Sequence, residues 1–206
     1  MWYVVDSEPG SYLYCGLSRD ASKEEILERI NNNTITDILN KIEVKAGDVV
    51  MVKAGTIHAI GAGVFICEIQ QNSNCTYRMY DYDRRDKFGN PRELHVKKAL
   101  DVVDNHKYIK DNKTEVVIAR NEHFTEERLV QCKYFEVYKY DVNDEAKITV
   151  DEASFVSVLF INGSGTIETD DYEKTMEFKA GDSFFVSAGL RSIIVKGRAT
   201  MVVTRV

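Results

Sequence analysis

The sequence is poor in proline, with two in 206 residues. That suits a chain built of strands, because a central strand cannot give up a backbone donor. No run approaches the roughly 20 apolar residues of a membrane helix, so no membrane partner is expected. There is no CxxC pair: Cys15, Cys67, Cys75 and Cys132 are scattered. The start, Met1-Trp2-Tyr3-Val4-Val5-Asp6, has no basic region and no cleavage site, and is not expected to be a signal peptide. Reduced thiols in a cytoplasmic protein are the corresponding expectation. No Lys/Arg cluster is present and the net charge is −6, which argues against nucleic acid or an anionic membrane as partner. What remains, 44% hydrophobic and 29% charged residues, describes an ordinary globular protein with room for one large domain or two small ones.

Short apolar runs between turn signals predict strands at 2–6, 12–17, 49–52, 64–70 and 76–80, then at 115–120, 131–140, 147–150, 155–161, 165–169, 174–178, 183–186, 192–195 and 200–206. Ser22-Lys23-Glu24-Glu25 has capping-box spacing ahead of Ile26, Leu27 and Ile30, which predicts a helix over 23–31. A second short helix is expected within 36–42, and a third opening at Pro91 and running to Val102. The polar stretch 104–114 reads as a domain linker. Strands at this density, with Gly-Asp turns and a turn at Asn162-Gly163-Ser164-Gly165, indicate a sandwich or barrel rather than a parallel sheet.

The chain is organised around Lys45-Ala46-Gly47-Asp48 and the run through Ala54-Gly55-Thr56-Ile57-His58. A near copy recurs as Lys179-Ala180-Gly181-Asp182 through Ala188-Gly189-Leu190-Arg191-Ser192, with the same glycine separation. Duplication of one unit is the simplest account. The phrase resembles the second sequence motif of the cupin β-barrels, although Lys53 stands where cupins usually carry proline. The resemblance implies a mainly β fold of two cupin-like jelly-roll barrels with a small helical insertion, the first spanning 1–104 and the second 115–206. In the second copy Ser192 replaces the histidine, so only the first keeps a candidate metal ligand, His58. A lone histidine is more often a satisfied structural residue; the phrase around it favours a ligand, with its nitrogen about 2.0–2.1 Å from a zinc ion.

Two further stretches carry candidate chemistry. In 68–84, Glu68 and Gln70 share one strand face opposite Ile69. That face points either to water or into a barrel, where an unpaired polar group costs several kcal/mol unless solvent or ligand fills the space. Arg78, Arg84 and Arg85 offer planar donors for a phosphate. His95, in Glu93-Leu94-His95, reads as a surface or helix-packing residue rather than a catalytic one.

Ala54-Gly55-Thr56-Ile57-His58-Ala59, Glu68-Ile69-Gln70-Gln71-Asn72-Ser73, Thr76-Tyr77-Arg78-Met79-Tyr80-Asp81-Tyr82-Asp83-Arg84 and Pro91-Arg92-Glu93-Leu94-His95 together resemble type I mannose-6-phosphate isomerase of the short bacterial kind. The likeness covers essentially the whole chain. It implies interconversion of mannose 6-phosphate and fructose 6-phosphate by an enzyme that holds a metal, usually zinc, with a glutamine, two histidines and a glutamate. His58 matches the last of those ligands. Glu68 and Arg78 match active-site residues, and Arg78 and Arg84 are candidates to bind the sugar phosphate. The other three ligands lie, in that family, before the Trp2-Tyr3 strand. Their absence here leads us to expect a C-terminal portion, lacking its N-terminal segment, with its first barrel incomplete and inactive on its own. The alternative is a non-catalytic double-cupin module that binds a sugar phosphate or a protein. A barrel without its opening strands exposes an edge, and self-association through it is expected.

Overall fold

A computed structural model of the chain describes residues 1–110, 116–169 and 174–206. The chain is mainly β and divides into two compact units, Met1–Lys110 and Asp111–Val206.

In the first unit, β1 (Trp2–Ser7) is the middle strand between β4 (Val49–Val50) and β6 (Val64–Glu68). The strand β2 (Tyr12–Leu17) is likewise flanked by β3 (Leu39–Glu43) and β5 (His58–Ile60). Alternation sends Trp2 and Val4 of β1, and Leu13 and Cys15 of β2, into one core with Val44 and Val50. The two three-stranded sheets therefore share an interior. A second cluster forms around α1 (Lys23–Asn31), whose Ile26 and Ile30 pack on Leu17, Ile35, Ile38, Leu39 and Val103. The helix starts where its cap predicts, the Ser22 hydroxyl accepting the Glu25 amide at 3.1 Å.

Three expectations fail here. Residues 36–42 are not a helix but a 3-10 turn, Ile35–Ile38, followed by β3. Pairing of Ile42 with Leu13 draws that segment into the ladder. Residues 76–80 form no strand. The third helix, α2, covers only Val96–Val102. Ahead of it, Pro91 bridges to Arg85, and the His95 amide donates to the Arg78 carbonyl at 2.7 Å. Of the expected linker, 104–110 docks on the first unit: Asn105 accepts from the Ala21 amide at 3.1 Å, and the Tyr108 amide donates to Leu17 at 2.8 Å. Residues 111–114 of that linker, and residue 115 of the expected strand, lie outside the described residues.

Among the described residues, the second unit is one antiparallel sheet of eight strands. These are β7 (Val116–Arg120), β8 (Phe124–Gln131), β9 (Glu136–Val142), β10 (Glu145–Val150), β11 (Val156–Thr169), β12 (Thr175–Lys179), β13 (Ser183–Val186) and β14 (Arg191–Arg205). Their order is β12-β11-β14-β9-β8-β7, with β10 on β14 and β13 on β11. Tyr140, Ile148, Val158, Phe160, Val195 and Met201 fill its core. The strand expected over 131–140 is broken by a turn in which the Cys132 amide donates to the Phe135 carbonyl at 3.0 Å. Conversely, 155–161 and 165–169 join into β11, and 192–195 and 200–206 join into β14. The Asn162-Gly163-Ser164-Gly165 signal bends the strand instead of turning it. The register slips between Phe160 and Asn162, Gly163 sits at φ 89, and a Cβ there would run into the Arg198 carbonyl oxygen.

The repeated phrase builds the same turn twice. Gly47 at φ 93 donates to the Val4 carbonyl at 2.8 Å, and Gly181 at φ 91 donates to the Phe160 carbonyl at 2.8 Å. Asp48 and Asp182 each accept the amide three residues back, from Lys45 and Lys179, at 2.9 Å.

Candidate functional site

The turn before β5 aims His58. Gly55 has φ 83, and a Cβ on it would lie 2.7 Å from the Val102 carbonyl oxygen, so only glycine fits. Its own carbonyl accepts the Asp104 amide at 2.9 Å, which pins the turn to the end of α2. Directly opposed residues of antiparallel strands share a face. Cys15 opposes His58 and Trp2 opposes Glu68. Since Cys15 and Trp2 point into the core, His58 and Glu68 face the interior as well. Both side chains are nonetheless exposed, which places them at an open end of the space between the sheets. Of the two possibilities for the Glu68 face, the inward one holds. Gln70 lies past the end of β6.

Trp2 joins the pair. Its indole N–H donates to Glu68 Oε1 at 2.9 Å, and the His58 ring stands edge-on to it, 5.4 Å between centroids at 71°. His58 Nδ1 is 2.8 Å from the Thr56 carbonyl oxygen. A carbonyl can only accept, so Nδ1 carries a hydrogen, which leaves Nε2 as the ring nitrogen available to a metal, the tautomer that metal-binding imidazoles use. The sequence pointed to His58 and Glu68 but gave Trp2 only a place in a strand. The available signal was that a buried indole N–H must find an acceptor.

The arginines form a separate group around Asp81, which is 7% exposed. Arg84 Nη2 donates to Asp81 Oδ1 at 2.8 Å and Arg84 Nε donates to the Asp81 carbonyl at 3.2 Å. Arg92 Nη1 lies 3.6 Å and Arg78 Nε 4.0 Å from the same Oδ1. Arg78 also donates from Nη1 to the Glu93 carbonyl at 3.3 Å, and its amide meets His95 Nδ1 at 3.3 Å. His95 stands at the N-cap of α2. Arg85 turns away to Asp83 and the Gly89 carbonyl. Nearby, Tyr82 lies against Tyr80, 5.0 Å between ring centroids. Burial, then the neighbouring Tyr12, raises the Tyr82 phenol above its ordinary range. Among the described residues no hydrogen bond or ion pair joins this group to His58 or Glu68. Asp81 and Arg92 were not singled out from the sequence; Asp81 sits three residues from both Arg78 and Arg84, which was the only hint.

A structural or catalytic zinc needs at least three protein ligands. Among the described residues no three His, Cys, Asp or Glu side chains come together to hold one. The donors present, His58 Nε2 and the Glu68 carboxylate, therefore do not by themselves fit the metal that the family resemblance implies. In the second unit the counterpart of His58, Ser192, is buried at 2% exposure. The described residues contain no helix long and apolar enough to cross a membrane.

Residues 125–206 match the family model described as the cupin domain of mannose-6-phosphate isomerase. The chain is 39% identical over 210 residues to the Bacillus subtilis protein YvyI, a candidate mannose-6-phosphate isomerase, with all of this chain and 63% of that protein aligned. Against mannose-6-phosphate isomerase ManA of Bacillus subtilis it is 32% identical over 98% of this chain and 62% of ManA. The crystal structure of a mannose 6-phosphate isomerase from Bacillus subtilis superposes with a TM-score of 0.88 at 36% identity, over 100% of this chain and 63% of that one. The chain thus spans less than two thirds of the length of these relatives.

Proposed function

We propose, from the premise that this chain belongs to the mannose-6-phosphate isomerase family along the length it shares with its members, that it contributes one part of an active site for interconverting mannose 6-phosphate and fructose 6-phosphate. The observation that carries this is the Trp2 indole holding Glu68 while its ring fixes the flank of His58 on the inner face. In this reading His58 supplies one corner of a zinc site, and the other ligands come from sequence that this chain does not span. Glu68, with one oxygen on the indole, keeps its second oxygen for a substrate hydroxyl. Arg78 places a positive charge where an enediol oxygen or the phosphate is to be steadied, and Arg84 binds the phosphate. With two convergent donors instead of a full set, the chain alone is expected to turn over no substrate.

The test is a fusion of this chain to the stretch of ManA that it does not cover. Mannose 6-phosphate isomerisation should appear in the fusion and vanish in its His58→Ala form. Ordinary enzyme rates from the unfused chain, abolished by chelator, would refute the partial-site reading. A silent fusion that folds and binds zinc would refute the assignment to this reaction. The second reading, a non-catalytic sugar-phosphate-binding module, is favoured by the arginine group gathering on Asp81 with no hydrogen bond or ion pair to His58 among the described residues; it predicts heat on titration with mannose 6-phosphate and no activity in the fusion. We also propose self-association, since β6 has only β1 as a ladder neighbour among the described residues and carries Phe65 at 66% exposure.

A further inference from the structure

A carboxylate buried only for stability would spread its donors over both oxygens. Asp81 does the opposite. Three guanidinium groups crowd its Oδ1, while Oδ2 is buried without a hydrogen-bond partner among the described residues. Leaving a buried acceptor unsatisfied in this way is destabilising. The backbone around it is strained too: Tyr82 has φ 56 and Asp83 φ 50, left-handed values that L-residues rarely hold. That turn brings Arg84 back onto Asp81 by its amide at 3.0 Å and its side chain. The outcome is two outward guanidinium groups, Arg84 with 63% and Arg92 with 54% of the side chain exposed, held against one shared oxygen. Free, such groups would repel and diverge. Three cations on one anion also leave the cluster with a positive excess and unused donors on both exposed arginines.

We propose that residues 78–92 form a phosphoryl-binding subsite in which Arg84 and Arg92 grip one phosphate monoester, and Asp81 is the positioning residue that holds them side by side. Planar guanidinium groups suit the three oxygens of a phosphoryl group, each bond being charge-assisted. Two such groups against one ligand gain over a lone arginine because their approach is already arranged by Asp81. The proposal deepens the sugar-phosphate reading by naming its phosphoryl contacts, and it rests on that reading for what the phosphate is attached to.

The whole chain is titrated calorimetrically with inorganic phosphate, and then with mannose 6-phosphate, at low salt. Both should bind. Arg84→Gln and Arg92→Gln should each weaken phosphate roughly tenfold, the 1.4 kcal/mol of one charge-assisted contact. Arg198→Gln, in the second unit, is the control for loss of an exposed charge and should change nothing. Asp81 is probed with two variants. Asp81→Asn keeps an oxygen for Arg84 and should stay within about threefold of the parent, whereas Asp81→Ala frees the arginines and should lose about tenfold or more. If Asp81 merely neutralised its neighbours, both variants would bind phosphate more tightly, and the proposal falls. It falls equally if millimolar phosphate gives no heat, or if Arg198→Gln weakens binding as much as the loop variants. If Asp81→Ala fails to fold, the Arg84 and Arg92 variants still decide. These titrations are independent of the fusion assay, so losing the isomerase assignment leaves them interpretable.

Discussion

Replacing Trp2 by phenylalanine perturbs the site at the residue that joins its two candidate groups. Trp2 is 2% exposed, and phenylalanine would keep a ring against His58 while removing the donor to Glu68. A hydrogen bond to a charged group contributes about 1.5–3 kcal/mol. Because Glu68 is exposed, its freed oxygen finds water, so the lower end, about 1.5 kcal/mol, applies. The missing part of the indole removes on the order of 40 Å² of buried apolar surface, about 1 kcal/mol at 25 cal/mol per Å². The expected loss is therefore about 2.5 kcal/mol, confined to the first unit. Hydrogen exchange along a urea series, read by mass spectrometry on peptides from β1 and β6, measures it locally. Glu68→Gln keeps a carbonyl acceptor and the whole indole and should cost under about 1 kcal/mol. If Trp2→Phe costs no more than the roughly 0.5 kcal/mol of a surface change, or less than Glu68→Gln, the indole does not hold the site together.

Gly163→Ala should destabilise the second unit by on the order of 3 kcal/mol, adding 1–2 kcal/mol of left-handed strain to a collision with the Arg198 carbonyl. Gly10→Ala, also at positive φ but with open space around it, should cost the strain alone, about 1 kcal/mol; equal losses in thermal melts would refute the close-approach account of the β11 bend. Burial pushes the Cys67 thiol from its ordinary 9.0 to about 11, while Cys75 is exposed. Iodoacetamide at pH 8 should therefore label Cys75 and spare Cys67. Since only the unfolded thiol ionises between pH 9.0 and about 11, stability should fall with rising pH across that window and be unaffected by Cys67 below it. Labelling of Cys67 at pH 8 in the folded chain would contradict its burial.

Local signals were legible where they act locally. Ser22 and its helix, the Gly47 and Gly55 turns and the duplication at Gly181 are set by a few neighbouring residues, and each appears as read. The errors come from long-range pairing. Ile42 looked helical until Leu13 on β2 claimed it, and Asn162-Gly163 looked like a turn until the Arg198 carbonyl fixed it as a bend. Within the candidate site, His58 and Glu68 were readable because a motif carries one and alternation the other. Their common attachment to Trp2 was not, since it depends on a β1–β6 register between residues 66 positions apart. Asp81 escaped notice for a different reason: nothing in a single sequence says that one carboxylate will be buried among three arginines.

The only tryptophan in the chain is the one wedged between His58 and Glu68. Every photon emitted on selective indole excitation therefore originates at this mouth, and its colour and lifetime depend on an imidazole and a carboxylate at contact range. The protein carries its own optical gauge of the site. Arrival of a cation or sugar at His58 should change the emission without any dye.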